Sequence, residues 1–249
     1  MLSGGSFFMY ILIILLSIST TFADIMNLNE YMPTRLEDVS VTRLHHVEAQ
    51  GTVRIHEEDE ELILSPNLRW GLVKRAQLEY NTDYIQTTGD KQRFRSEHKF
   101  GLQWNFHDQD DWVPALALDP VLIIPQGPGS KALDSSVKML LTYTLIGTLV
   151  DPIGQFHLNY RWTHNSDRQE DENKIGELLI FGYSHKVGER SSLVADFLHK
   201  KDILSSELEN AFEAGILHEL HEKLHLGLGI GVDPQLDHFS SNLSGEYNF

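Results

Sequence analysis

Leu224-His225-Leu226-Gly227-Leu228-Gly229-Ile230-Gly231-Val232 is the stretch on which the fold turns. Every even position is a large aliphatic, and every odd one is His or Gly. A period of two sends successive side chains to opposite faces of a strand. The stretch therefore reads as a strand with one strongly apolar face and one small or polar face. A helix would lose ~1 kcal/mol at each of these glycines relative to alanine.

The same alternation recurs outward from this point. Phe156, Leu158, Tyr160 and Trp162 alternate with His157, Asn159, Arg161 and Thr163. Ala76, Leu78, Tyr80, Thr82 and Tyr84 alternate with Gln77, Glu79, Asn81 and Asp83. Phe100, Leu102, Trp104 and Phe106 alternate with Lys99, Gly101, Gln103 and Asn105. The pattern predicts twelve strands, at about 46–56, 61–71, 75–85, 93–106, 111–122, 134–146, 154–164, 174–185, 190–200, 208–219, 222–232 and 238–249. Most have roughly the 9–11 residues that a tilted strand needs to cross a bilayer.

Composition narrows the setting. The 249 residues carry 36 acidic against 20 basic side chains, a net charge of −16, so nucleic acid is excluded as the main partner. With no cysteine, there is no disulfide, thiolate metal site, Cys nucleophile or lipidated N-terminal Cys. Phe7–Ile18 is uncharged and almost wholly apolar, and Thr20-Thr21-Phe22-Ala23 precedes the first charge at Asp24. An apolar core followed by small residues predicts a secretory leader over 1–23, cut after Ala23. Residues 24–45 then form a periplasmic N-terminal segment, and 46–249 the strands.

Alternation alone fits a soluble periplasmic sandwich as well as a membrane barrel. Three features favour a closed antiparallel β-barrel of the Gram-negative outer membrane. Strand lengths suit a bilayer, and an even strand number returns the chain to the side where it began. Connections alternate in character: the long polar His164–Lys174 lies on one side, the short Val187-Gly188-Glu189 on the other, although the turn at 146–154 departs from this. Aromatics cluster near strand ends, at Trp70, Tyr80, Tyr84, Trp104, Phe106, Trp112, Trp162, Tyr183 and Tyr247, as interfacial girdles do.

The last segment, Phe239–Phe249, places Phe239, Leu243, Tyr247 and Phe249 on one face. Its ending, with Leu243, Tyr247 and Phe249, resembles the sorting signal read by the barrel-insertion machinery. The closing strand must pair with the first, since no edge can stay open in lipid.

Three short motifs stand out: Pro33-Thr34-Arg35-Leu36-Glu37-Asp38, Leu64-Ser65-Pro66-Asn67-Leu68-Arg69-Trp70-Gly71-Leu72 and Ala76-Gln77-Leu78-Glu79. On them the chain resembles a family of outer-membrane transporter-like proteins, that of the meta-pathway of phenol degradation. The resemblance extends to Pro114-Ala115-Leu116-Ala117-Leu118 and to Ile124-Pro125-Gln126-Gly127, where Gln126 replaces the Thr of the family pattern. It covers roughly residues 33–249. It implies a barrel that moves aromatic or other small compounds across the outer membrane.

Candidate chemistry is sparse. His218, His221 and His225 have zinc-like spacing for a helix, but on strands they straddle a turn, where His218 and His225 are expected to approach each other. His45 and His46 add a second histidine pair. His164-Asn165-Ser166-Asp167 holds hydrolase residue types without a demonstrable relay. Glu57–Glu61 reads as a solvated acidic loop rather than a Ca²⁺ site. No phosphate-binding glycine loop occurs. Hence no enzyme, cofactor or metal is expected.

The face opposite the apolar one carries Gln77, Glu79, Asn81, Asp83, Arg95, Glu97, Lys99, Gln103, Asn105, His157, Asn159 and Arg161. These are the expected lumen-lining residues. Such a mixed-charge set suits a hydrated pore or a salt-bridged plug. The expectation is a passive channel for a small solute, with outer-membrane lipid and the insertion machinery as partners. The alternatives are a filled structural barrel or an outer-membrane lipid hydrolase.

Overall fold

A computed structural model describes residues 34–56, 61–87, 93–126, 133–148, 151–164, 166, 174–201, 208–234 and 238–249. The leader over 1–23, the acidic run Glu57–Glu60, Asn165 and Asp167 lie outside the described residues. Among the described residues there are twelve strands: β1 (Val47–His56), β2 (Glu61–Val73), β3 (Ala76–Thr87), β4 (Arg93–His107), β5 (Ala115–Gln126), β6 (Asp134–Gly147), β7 (Pro152–His164), β8 (Ile175–Lys186), β9 (Ser191–Lys201), β10 (Leu208–His221), β11 (Leu224–Asp233) and β12 (His238–Asn248).

Each strand pairs antiparallel with its sequence neighbour. β1 also pairs with β12, from Glu48↔Asn248 to His56↔Ser240, so the sheet closes into a barrel. Closure satisfies backbone groups that an open sheet edge would strand in lipid. The seam extends to the last residue, where the Phe249 amide donates to the Val47 carbonyl at 2.9 Å.

Burial follows the alternation. On β9, Ser192, Val194, Asp196 and Leu198 are buried, while Leu193, Ala195 and Phe197 are exposed. Across the outer face, Leu68, Trp70, Phe100, Trp104, Phe181, Leu228 and Ile230 are exposed. Neighbouring strands match aromatics on that face: Tyr80 lies 4.9 Å from Phe100 and Phe197 5.0 Å from Phe212, centroid to centroid. Cross-strand pairs of this kind stabilise a sheet by roughly 0.2–1 kcal/mol each. An apolar belt on this scale suits lipid, not water.

Three expectations need correction. The fifth strand begins at Ala115, not near 111. Asp110 and Val113 exchange backbone hydrogen bonds of 3.0 and 2.7 Å, and Asp111 sits at φ 40°, so a tight turn occupies the predicted strand start. His218 and His225 do not approach each other. Glu219, not His218, registers with His225, so the two imidazoles fall on opposite faces. His225 is buried inside, and His218 is exposed, bonded to Ser191 Oγ at 2.9 Å.

The third correction concerns the N-terminal segment. Residues 34–42 do not stand apart from the barrel; they run inside it, while the exposed Arg43, Leu44 and His45 lie beside the end of β2. Next to β1 the chain turns at His45, whose φ is 65°, with the His46 amide bonded to the Arg43 carbonyl at 2.9 Å. His45 donates to the Gly71 carbonyl at 2.9 Å, and Gly71 donates back to His46 at 3.1 Å. A Cβ on Gly71 would collide with the backbone oxygens of Arg43 and Thr42. Only glycine admits this close approach. Gly71→Val is expected to cost about 1–3 kcal/mol, as overpacking does. It should lower the unfolding temperature and speed proteolysis within 34–45; unchanged values would contradict the contact.

A candidate functional site in the barrel lumen

The inserted segment adopts neither helix nor strand over residues 34–43, yet most of it is buried. Its backbone groups must therefore find partners one by one. Two bonds are local. Leu36 donates to Thr34 Oγ1 at 3.3 Å, and Ser40 donates to Asp38 Oδ1 at 2.8 Å. Short polar side chains offer the backbone such turns in place of regular structure. The wall supplies the rest. The Thr42 amide donates to Gln77 Oε1 at 2.6 Å, and the Val39 amide to Thr142 Oγ1 at 3.2 Å. Gln103 donates to the Ser40 carbonyl, and Asn159 to the Glu37 carbonyl, each at 3.0 Å. The Arg35 amide donates to Glu213 Oε2 at 2.8 Å.

Ion pairs reinforce this plug. Lys138 Nζ lies 3.0 Å from Glu37 and 2.8 Å from Asp119, and Arg161 lies 3.6 Å from Glu37. The Arg35 guanidinium pairs with Glu213 at 3.2 Å and Glu209 at 3.4 Å. Two apolar anchors complete the attachment. Leu36 packs with Ile180, Val194, Leu198, Ala211 and Leu217 on β8–β10. Val39 packs with Ala115, Ala117 and Leu140 on β5 and β6. Apolar side chains are thus inside a face that alternation assigns to polar residues.

The residues expected to line the lumen occupy several settings. Gln77, Gln103, Asn159 and Arg161 hold the plug, as above. Glu79 accepts from Asn67 Nδ2 at 2.6 Å and pairs with Arg69 at 3.7 Å. Asp83 accepts from Ser65 Oγ at 2.6 Å and from Lys99 Nζ at 2.5 Å. Glu97 lies 3.9 Å from Lys99. Asn81 Nδ2 donates to the Pro66 carbonyl at 3.3 Å. Asn105 is half-buried. Arg95, 3.8 Å from Glu61, is the most open of the set. His157 is fully buried between Thr142 Oγ1, 3.2 Å from Nδ1, and Ser184 Oγ, 2.9 Å from Nε2.

Sequence reasoning missed the plug and its apolar seats. A signal was present. Alternation fails in Leu178-Leu179-Ile180-Phe181, Met139-Leu140-Leu141 and Ile216-Leu217. Each run puts an aliphatic on the inner face, where it meets or adjoins Leu36 or Val39.

Of the hydrolase residue types, His164 and Ser166 are described, and each is engaged with other groups. Ser166 bonds through its amide to Asp134 Oδ1 at 3.0 Å and through its hydroxyl to the Leu133 carbonyl. His164 packs its ring 6.4 Å from Trp162. At the end of the chain, Tyr247 and Phe249 meet edge to face at 4.8 Å beside the β1–β12 seam.

No family model matches the sequence, and no curated protein matches it. Solved structures do. The chain is similar to the COG4313 outer membrane channel from Pseudomonas putida F1, at 11% identity and TM-score 0.62, covering 85% of this chain and 98% of that one. It is similar to the KdgM porin at 7% identity and TM-score 0.59, covering 81% and 99%. A NanC porin structure matches at 7% identity and TM-score 0.59, covering 81% and 98%. These likenesses establish the fold as that of outer-membrane channel barrels.

Proposed function

We propose that this chain is an outer-membrane channel of a Gram-negative envelope, held shut by its own segment 34–45. The proposed cargo is a small compound with an apolar or aromatic part. One observation carries the reading: a length of chain without helix or strand, residues 34–42, lies in the lumen and is held there by side chains of the wall. Side chains alone fill a barrel of about eight strands, and twelve leave room for more. A segment held by single hydrogen bonds, ion pairs and two apolar anchors has a second arrangement available, withdrawn from the lumen.

The cargo class rests on the seats of Leu36 and Val39. Withdrawing the segment uncovers the patch of Ile180, Val194, Leu198 and Leu217 and the patch of Ala117 and Leu140. An apolar compound gains roughly 25 cal/mol per Å² that it buries there. The resemblance to the phenol-degradation transporters supports the same class. The short turns would face the periplasm, the apolar belt would meet lipid, and Leu243, Tyr247 and Phe249 would be read by the insertion machinery. No covalent chemistry is assigned to the lumen.

Purified full-length chain in planar bilayers, with solute-uptake assays in vesicles, tests the proposal. Intermittent current and faster uptake of small aromatic compounds than of sugars of equal size are expected. Silence in both assays favours the second reading, a filled structural barrel, for which the buried Lys138 network speaks.

A further inference from the structure

We propose that Arg35 and Leu36 of the plug occupy the seat of the cargo and imitate it: the cargo is a small organic cation, a guanidinium or protonated amine joined to an apolar group. This rests on the channel reading and on withdrawal of the segment, and it narrows the cargo class given above.

The seat follows from strand register. Asp196 of β9 stands between Gly182 of β8 and Glu213 of β10. Two residues on, Leu198 stands between Ile180 and Ala211. Two further, Lys200 stands between Leu178 and Glu209. Steps of two keep side chains on one face. An apolar row therefore lies inside the barrel between two rows that carry carboxylates. The plug matches this order. Leu36 packs with Ile180, Leu198 and Ala211, and the Arg35 guanidinium reaches Glu213 at 3.2 Å and Glu209 at 3.4 Å. The wall also leaves space for the plug. A Cβ on Gly182 would come within 2.7 Å of Leu36 Cδ2 and 2.8 Å of Asp196 Cβ.

A second, independent observation points to a ligand with more donors than Arg35 brings. Asp196 is 6% exposed, beside Leu36. Thr34, Arg35 and Arg54 lie around it, yet among the described residues neither of its oxygens accepts a well-formed hydrogen bond. A buried acceptor left so gains from any donor that reaches it. A free guanidinium or ammonium is not tied to the backbone as Arg35 is, so it can serve Asp196 and Glu213 together.

Charge sets the sign of the cargo. Lys200 lies 3.2 Å from Glu209, and Arg54 lines a cleft with Glu213. Those wall cations face Glu209, Glu213 and Asp196, and the plug supplies the third cation. An uncharged apolar compound would cover the row of Ile180, Leu198 and Ala211 but leave a buried carboxylate without its partner, which is costly. A cationic one restores the balance that Arg35 takes away when the segment withdraws.

Arg35→Ala combined with Leu36→Ala vacates the seat in the full-length chain. The probes are benzylguanidinium, its uncharged isostere benzylurea and the anion benzylsulfonate. Binding to the purified, folded barrel is read by titration calorimetry, and uptake by swelling of vesicles that carry the protein. Benzylguanidinium should bind the double variant about tenfold more tightly than it binds the wild type, where Arg35 competes, and about tenfold more tightly than benzylurea does. Benzylsulfonate should not bind. Adding Glu213→Gln or Asp196→Asn to the double variant should cost about tenfold in affinity for the cation; either serves where the other fails to fold, as heat-modifiable migration shows. Wild-type vesicles should take up benzylguanidinium faster than benzylurea. Equal binding of benzylurea and benzylguanidinium, or cation binding indifferent to both carboxylate substitutions, overturns the cationic cargo alone, even where the vesicles take up benzylurea and the channel stands. Tight binding of the cation to the double variant without uptake of any probe, in wild type or variant, overturns the channel reading and the cargo with it.

Discussion

Leu36→Asp combined with Val39→Asp should turn an intermittently conducting barrel into one that stays open, with single-channel current time-averaged up to about a hundredfold higher. Leu36 is 1% exposed in its β8–β10 seat, and Val39 is buried against β5 and β6. Burying such side chains contributes about 1.5–3 kcal/mol each. A carboxylate in the same seat loses that gain and adds several kcal/mol of desolvation. Moving a two-state equilibrium from 1:99 to 99:1 takes about 5.5 kcal/mol, which the double substitution supplies. The wall itself should survive, because every strand is paired on both sides whether or not the segment is seated. Arg43→Ala, an exposed position on the same segment, is the control and should leave the current unchanged. An unaltered current in the double variant, with the barrel folded, would sink the view of residues 34–45 as the closure.

Lys138→Met should be the most destabilising single change in the lumen. Lys138 is 5% exposed and bonds Glu37 at 3.0 Å and Asp119 at 2.8 Å, both of them nearly or fully buried. Removing a buried partner leaves uncompensated charge and typically costs 3–5 kcal/mol. Arg161, 3.6 Å from Glu37 and in register with Lys138 on the neighbouring strand, offsets part of this loss. The urea midpoint of the barrel in lipid vesicles measures the loss. The triple variant Glu37→Gln, Asp119→Asn, Lys138→Met removes the charges together and should recover most of it, since replacing a whole buried ion network is often nearly neutral. A triple variant no more stable than Lys138→Met would show that shape, not charge, holds the three together.

Period-two alternation carried the strand number, their order and the closure, because the backbone pleat alone sets which face a side chain takes. It went astray at the fifth strand. There Pro114 and the paired turn of Asp110 and Val113 consume residues whose apolar pattern continues that of the strand. It went astray again at His218 and His225, where the register sets Glu219 opposite His225 and His218 opposite Leu226, so that the two imidazoles take opposite faces.

The plug was beyond such reasoning for a different cause. Alternation sorts Gln77, Gln103 and Asn159 onto one face but carries no information about what stands opposite. Their partners are Thr42, Ser40 and Glu37, lying 35, 63 and 122 residues away in the chain, and Arg35 reaches across 178 to Glu213. Local periodicity thus determined a closed wall with an apolar outside and a mostly polar inside, since those are properties of consecutive residues. Whether that inside meets water, solute or the chain's own residues 34–42 was decided by closure itself, which brings remote segments within hydrogen-bonding reach and lets buried backbone find its partners there.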